Sequence, residues 1–248
     1  MRQKAAIITG GARGIGFGIA SALGAQGYAV ALFDLDKAAL EKAADALREK
    51  DVVCHTYQVN VTRRVEVDEA VTAVERDFDG LEVLVNNAGI TRDKRLVNME
   101  ENDWDEVLEV NLKSQYLCCR AAVPGMIERR YGRVINISSR AWLGGFGQTN
   151  YSAAKGGVVS LTRSLAIELA KEGITVNAVA PGIIDTPLIR AYDANVQQKL
   201  AQSVPARRIG TPEDVAQAVT FFAQASSSYI TGQVLYVCGG RSLSSPSL

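Results

Sequence analysis

The feature that most constrains this chain is a regular alternation, in which short apolar runs are separated by longer helix-like stretches from one end to the other. The runs are Lys4–Thr9, Ala29–Phe33, Val52–Gln58, Leu81–Asn86, Arg133–Ser138, Thr175–Ala180 and Gln233–Cys238. They are rich in Val, Ile and Leu and lack clean polar alternation, which is the pattern of strands covered on both faces. Between them lie Ile15–Ala25, Lys37–Glu49, Arg64–Asp77, Glu101–Arg130, Tyr151–Lys171 and Pro212–Ala225. The last has a clear start, with Thr211 placed to cap, Pro212 in the first turn, and Glu213 and Asp214 against the positive helix end. Repeated strand–helix units require parallel strands joined by right-handed crossovers. The expected fold is therefore α/β: a doubly wound, Rossmann-type, seven-stranded parallel sheet with helices on both faces.

No linker or repeat divides the 248 residues, and a single core is feasible because a domain of about 250 residues buries roughly 70–75% of its extended surface. One domain spanning 1–248 is expected, with 182–209 as a substrate lid and 239–248 as a loose tail. Lys plus Arg and Asp plus Glu both total 27, and this balance argues against a nucleic-acid binder or an anionic-membrane binder. Arg129, Arg130 and Arg133 form a local basic cluster that reads as a solvated helix end. The four cysteines, Cys54, Cys118, Cys119 and Cys238, form no C-x-x-C pair and sit in apolar surroundings, as small buried hydrophobes in a reducing compartment do. The opening residues carry too short an apolar run for a signal peptide, and no uncharged run approaches the ~20 residues of a membrane span. A cytoplasmic protein is expected.

The first strand runs into Thr9-Gly10-Gly11-Ala12-Arg13-Gly14-Ile15-Gly16 and then a helix. Glycines at such a turn let the backbone approach a pyrophosphate, whose charge is held by the free N–H groups of the helix start. The spacing is G-x-x-x-G-x-G rather than G-x-G-x-x-G, so the turn alone is weak evidence, but its strand–turn–helix context strengthens it. Asp34 ends the second strand, where a carboxylate can accept hydrogen bonds from ribose hydroxyls and repel a 2′-phosphate. Arg13 could instead attract that phosphate. Asp34 outweighs it, so NAD(H) is favoured over NADP(H).

Other chemistries lack their residues. The single histidine, His55, belongs to the third strand and reads as a packed strand residue. No G-x-S-x-G elbow exists, and the cysteines do not supply a zinc dehydrogenase's ligand set, so no metal is expected. A carbonyl here must be polarised by hydrogen-bond donors, with a proton from an acid other than histidine. Tyr151 and Lys155 lie one helical turn apart and share a face. A cation held ~5 Å away at an effective dielectric of ~20 contributes roughly 3 kcal/mol, or about two pKa units, toward acidifying a phenol that ordinarily titrates near ~10. The strand before them ends in Ser138-Ser139, followed by a loop containing Gly144, Gly145 and Gly147. That delivers a serine hydroxyl to the strand end where parallel sheets place ligands.

With these pieces assembled, the chain resembles the short-chain dehydrogenase/reductase family over essentially its whole length. The resemblance rests on Thr9-Gly10-x-x-x-Gly14-x-Gly16, Asn86-Asn87-Ala88-Gly89, Asn111, Ser138/Ser139, Tyr151-x-x-x-Lys155 and Pro181-Gly182-x-x-x-Thr186. Within the family it looks most like 3-oxoacyl-[acyl-carrier-protein] reductases and related hydroxyacyl dehydrogenases. This implies hydride transfer between a nicotinamide cofactor and a carbonyl or secondary alcohol. Sugar or polyol oxidation, and a non-catalytic nucleotide sensor, are the alternatives. The resemblance gives Tyr151 the proton-transfer role, Lys155 the nicotinamide ribose as well, and Asn111 a water relaying protons from Lys155. Gly10, Arg13, Gly14, Ile15 and Gly16 would meet the cofactor, as would Asn87, Ala88 and Gly89 along its adenosine and ribose. Pro181, Gly182, Ile184 and Thr186 would meet the nicotinamide end, and Asn60 and Val61 would flank the adenine.

Three departures stand out. Asn60 replaces the family's usual Asp. The family's serine, second of a pair and usually 13 residues before the tyrosine, corresponds to Ser139 by strand register but to Ser138 by count, because the glycine loop is one residue short; register favours Ser139. Arg129 and Arg130 suit an acidic acyl carrier protein, but Glu172 falls where another basic residue would help, so acyl-CoA and free ketones stay open as substrates. The helix Tyr151–Lys171 is apolar around most of its circumference, and with the resemblance this implies a homotetramer, or at least a dimer.

Overall fold

The computed structural model describes residues 3–243. Seven parallel strands form one sheet: β1 (Ala5–Thr9), β2 (Ala29–Asp34), β3 (Cys54–Gln58), β4 (Val83–Asn86), β5 (Gly132–Ile137), β6 (Ile174–Pro181) and β7 (Val234–Val237), in the order β3-β2-β1-β4-β5-β6-β7. This is the doubly wound sheet expected, and its strand order reverses between β1 and β4. Helices α1 (Gly14–Ala25), α2 (Lys37–Arg48) and α9 (Pro212–Ala223) cover one face. On the other lie α3 (Arg64–Phe78), α5 (Ser114–Glu128) and α6 (Thr149–Leu169).

Alternation within a strand explains why two cores form. In β1, Ala6 and Ile8 point to the α1/α9 side while Ile7 points to the α3/α5 side, and all three are fully buried. Each such side chain contributes roughly 1.5–3 kcal/mol of apolar burial. The expectation of strands covered on both faces holds in the middle of the sheet and fails at its edge. β3 is the outermost strand, and three of its five residues are exposed. His55 is accordingly not packed but half-exposed there, lying against Phe78 with ring centroids 4.6 Å apart.

The expected single helix Glu101–Arg130 is in fact α4 (Glu101–Leu108), a π-turn (Glu109–Lys113) and α5. Single π-turns inside helices frequently mark functional sites, and the residue turned inward here is Asn111, which is fully buried. The basic cluster also divides. Arg129 pairs with Glu75 at 2.8 Å and Arg130 with Glu172 at 2.7 Å. Arg133 is no solvated helix end: it is 2% exposed, stacked 4.3 Å from the centre of the Tyr131 ring.

The segment 182–209 holds α7 (Pro187–Arg190) and α8 (Ala194–Gln202), with a single bridge, Ile184 to Gly210, in place of a strand. α9 starts as expected, with a capping box between Thr211 and Asp214 and Pro212 in the first turn. All four cysteines are free and buried. Of the tail 239–248, Arg241–Leu243 form a 3-10 turn, and 244–248 lie outside the described residues. No helix of the described residues is long and apolar enough to cross a membrane.

Candidate active site

The carboxyl ends of the strands border a cleft of about 940 Å³, located where open parallel sheets bind ligands. The glycine turn forms its first wall. Gly10 and Gly14 adopt φ +61° and +54°, the left-handed conformations that favour glycine. At Gly16 a Cβ would lie 2.1 Å from the Gly10 carbonyl oxygen, so no larger residue fits unless the turn opens. α1 begins with Arg13 as its N-cap, which provides no side-chain cap, and with no acidic residue in the first turn. Its opening N–H groups are thereby available to an anion.

Behind the turn, the Thr9 hydroxyl accepts from the backbone of Asn87 at 2.9 Å and of Ala88 at 3.0 Å. The Asn87 amide donates to the Thr9 and Gly10 carbonyls. These bonds fasten the end of β4 to the end of β1 and set Asn87, Ala88 and Gly89 in the cleft wall. Asp34 ends β2 at the same wall, and its carboxylate accepts from Ala12 N–H at 3.3 Å. Arg13, the competing signal, is ion-paired with Asp36 on the surface. Val61 lines the cleft, but Asn60 does not. The Asn60 side-chain oxygen instead accepts from the Thr62 amide and hydroxyl at 3.0 and 2.9 Å, closing a local turn. Val59 lines the cleft beside Val61.

The second half of the cleft is built on β5 and α6. The Lys155 ammonium is 5.6 Å from the centre of the Tyr151 ring and donates to the Ile137 carbonyl at 2.9 Å. The two serines have different partners. Ser138 is buried and donates to the Lys155 carbonyl at 2.8 Å, fixing α6 against β5. Ser139 is the one that reaches the Tyr151 hydroxyl, and its oxygen also accepts from Ala141 N–H at 3.1 Å. Strand register, not residue count, therefore identifies the serine beside the tyrosine. Asn150, which sequence reasoning did not single out, is fully buried; it accepts from Tyr151 N–H at 2.7 Å and so holds the start of α6. Only its position next to Tyr151 could have suggested it.

Electrostatics correct the expectation that Lys155 acidifies Tyr151. Burial pushes the Tyr151 phenol up, and its bond from Ser139 only partly opposes this. Burial also pulls the Lys155 ammonium down to about 7. A cation is costly in so dry a site, and the Coulomb estimate made from sequence left this desolvation out. In the chain by itself, Lys155 is the group set to exchange protons near neutrality.

Asn111 lies behind the cleft wall, donating to the Ile90 and Val107 carbonyls, both at 2.9 Å. Its side-chain oxygen lies 2.6 Å from where a Cβ on Gly89 would be, and the Lys155 nitrogen 3.5 Å from the same point. Asn111 thus packs beside Gly89, with both amide hydrogens used. Pro181, Gly182, Ile184 and Thr186 line the cleft at and beyond the end of β6, together with Ile183 and Ile189. Within one chain, Arg129 and Arg130 lie just before β5, at the end of the sheet opposite this cleft.

Comparison with known proteins agrees with this geometry. A family model described as Enoyl-(Acyl carrier protein) reductase matches residues 10–242. The (2S)-[(R)-hydroxy(phenyl)methyl]succinyl-CoA dehydrogenase subunit BbsD of Thauera aromatica is 43% identical over 243 residues, covering 98% of each chain. The 3-oxoacyl-[acyl-carrier-protein] reductase FabG of Chlamydia muridarum is 42% identical over 240 residues, covering 96% of this chain and 97% of that protein. The crystal structure of levodione reductase superposes with a TM-score of 0.94 at 31% identity, covering 98% of each chain. A structure assigned as a gluconate dehydrogenase from Agrobacterium tumefaciens gives the same TM-score and identity, covering 98% of this chain and 97% of that one.

Proposed function

Because this chain belongs to the short-chain dehydrogenase/reductase family, whose members are oxidoreductases acting on CH–OH groups with a nicotinamide cofactor, we propose that it interconverts a 3-oxoacyl thioester and its 3-hydroxy form. The observation that carries the reading is the Ser139–Tyr151–Lys155 cluster, set in the same cleft as an uncapped glycine turn. Two of the relatives described above are named for thioester substrates, one on coenzyme A and one on acyl carrier protein. The solved sugar-type relative favours the second reading, oxidation of a sugar or polyol alcohol.

The cofactor, when bound, supplies or accepts the hydride; the protein's own groups manage the proton and the pose. The Ser139 hydroxyl and the Tyr151 phenol together hold the carbonyl oxygen. Tyr151 passes it a proton during reduction and reclaims it during oxidation. Lys155, titrating about 7, resupplies Tyr151 at neutral pH. Ser138 and Asn150 hold α6 so that this cluster keeps its geometry, and Asn111 supports the wall at Gly89.

At the adenosine end, Asp34 accepts the ribose hydroxyls, while Arg13 is occupied by Asp36; this supports NAD(H) over NADP(H). The backbone of residues 10–16, residues 87–89 with Val61, and the segment 181–186 form the rest of the cofactor's bed. The single catalytic domain assembles as a homotetramer through α6. Ile167 is 84% exposed on that helix and Gly156 faces open space, which leaves an apolar flank for a partner copy.

A panel of 3-oxoacyl thioesters, simple ketones and polyols, each assayed with both reduced or both oxidised cofactors by nicotinamide absorbance, tests the assignment. Thioesters turned over faster with NADH than NADPH are expected. Turnover confined to polyols would replace the reading with the second one. Light scattering tests the assembly, and a monomer at all concentrations would overturn it.

A further inference from the structure

Besides Arg92, which is paired with Glu106 at 3.1 Å, the substrate end of the cleft carries two cations that the chemistry above does not use. Arg140 directly follows Ser139 and opens the 3-10 turn Arg140–Leu143. Arg241 opens the 3-10 turn Arg241–Leu243, and the two turns pack together. Both arginines line the cleft with Ser139 and Tyr151.

Among the described residues neither guanidinium has an ion pair or side-chain hydrogen bond, and the Arg140 Nε is buried without any partner. This is unlike their neighbours. Arg190 forms a two-pronged bond to Asp185, and Arg208 another to Asp214. Burial, and then the charge of Arg140, depress the Arg241 pKa. The one acidic residue among the described residues lining the cleft is Asp34, at the adenosine end. Two like charges held together and partly dehydrated are unfavourable until an anion joins them. The planar fork of each guanidinium suits a carboxylate in particular. The cofactor's phosphates belong at the glycine turn, so the missing anion is on the substrate.

We infer that Arg140 and Arg241 bind a free carboxylate on the substrate, so that the natural substrate is a 3-oxoacyl or 3-hydroxyacyl thioester carrying a second, unesterified carboxyl group. Adjacent residues place their Cα atoms about 3.8 Å apart, so Arg140 works within a side chain's length of the Ser139–Tyr151 pair. The carboxylate therefore sits near the reacting carbonyl and not at the end of a long acyl chain. This rests on the thioester reading above.

The test uses a pair of coenzyme A thioesters matched in length: 3-oxoadipyl-CoA, whose free carboxylate lies two methylenes from the ketone, and 3-oxohexanoyl-CoA, which has none. For the wild type, kcat/KM is expected to favour the acid by about 100-fold, mainly through KM, as for two charge-assisted hydrogen-bonded contacts. Arg241→Met and Arg140→Val are each expected to cut that preference by about tenfold, and Arg241→Lys to restore part of it. Thermal melts and NADH titrations show that each variant is folded, and Arg241→Lys serves if Arg241→Met is not. Equal efficiency on the two thioesters overturns the inference. So does a penalty falling equally on both, which would place the arginines on the phosphates of coenzyme A. If neither thioester is turned over with NADH or NADPH, the thioester reading itself falls and takes this inference with it; turnover of the neutral thioester alone sinks only the inference.

Discussion

The two halves of the cleft are built differently. Around β1 and β2, and in the residues that follow β4, the polar groups bordering the glycine turn are paired within the protein: Thr9 with Asn87 and Ala88, Asp34 with Ala12, Arg13 with Asp36. Around β5 and the start of α6 several groups carry a burial penalty or an unmade bond. Lys155 is a buried amine depressed to about 7, Tyr151 a phenol pushed up by desolvation, and Arg140 a guanidinium with an unbonded nitrogen. The first half is preorganised for one ligand. The second holds groups at an electrostatic disadvantage, a pattern expected where binding turns into chemistry.

The sharpest way to break this contrast is Tyr151→Phe. It removes one oxygen from the chemical half and nothing from the cofactor half. Turnover should fall by about 10²–10⁴-fold, while NADH affinity by fluorescence titration stays within about twofold; retained turnover would eliminate the mechanism. The reciprocal test is Gly16→Ala, where the added Cβ meets the Gly10 carbonyl oxygen at 2.1 Å. Overpacking of this kind costs about 2–3 kcal/mol, read as a fall in Tm of about 4–10 °C together with weaker cofactor binding. An unchanged Tm would show that the turn is not a rigid wall.

Asp34→Ala should weaken NAD(H) about tenfold, as expected for lost charge-assisted hydrogen bonds, and leave NADP(H) less affected, so that the ratio of their affinities moves toward NADP(H). If the ratio does not move, Asp34 does not select the cofactor.

A smaller effect distinguishes the halves by pH. The folded pKa of Lys155, about 7, lies below its ordinary value of 10.5. Between those values the unfolded chain holds the extra proton, so stability rises with pH through this window, and the cost of burying the charge is felt in full below pH about 7. Lys155→Met removes that term. The variant should gain stability over the wild type most at pH 6, and the gain should shrink by up to about 1.4 kcal/mol per pH unit between pH about 7 and 9. A pH-independent difference in chemical denaturation would mean that Lys155 is not buried charged at low pH.

The smallest change lies outside both halves. Asp214→Ala removes the capping box of α9 and the partner of Arg208 and should cost about 1 kcal/mol. Arg208 and Thr211 hold the Asp214 carboxyl down to about 2, so its contribution is present above pH about 4 and is lost as pH falls toward 2. A variant as stable as the wild type at pH 7 would remove the cap from the account.

Much of this was legible in the residues. Apolar runs such as Ala5-Ala6-Ile7-Ile8 can be satisfied only between two layers of helices, and the glycines at positions 10, 14 and 16 allow a backbone path closed to other residues. Tyr151 and Lys155 share a face because four residues make about one helical turn. These are local rules with short periods, so the order of residues determined the strands, most helices, the glycine turn and the shared face of Tyr151 and Lys155. Tertiary structure decided what depends on surroundings. The edge position of β3 exposed His55, and the π-turn withdrew Asn111 behind the wall. Asn60 was drawn into a turn with Thr62, and packing of the last 3-10 turn brought Arg241 beside Arg140, about a hundred positions away. Burial reversed the expected shift of Tyr151, because a Coulomb estimate from spacing counts the neighbouring charge and omits the lost water, and only the folded chain fixes how much water is lost.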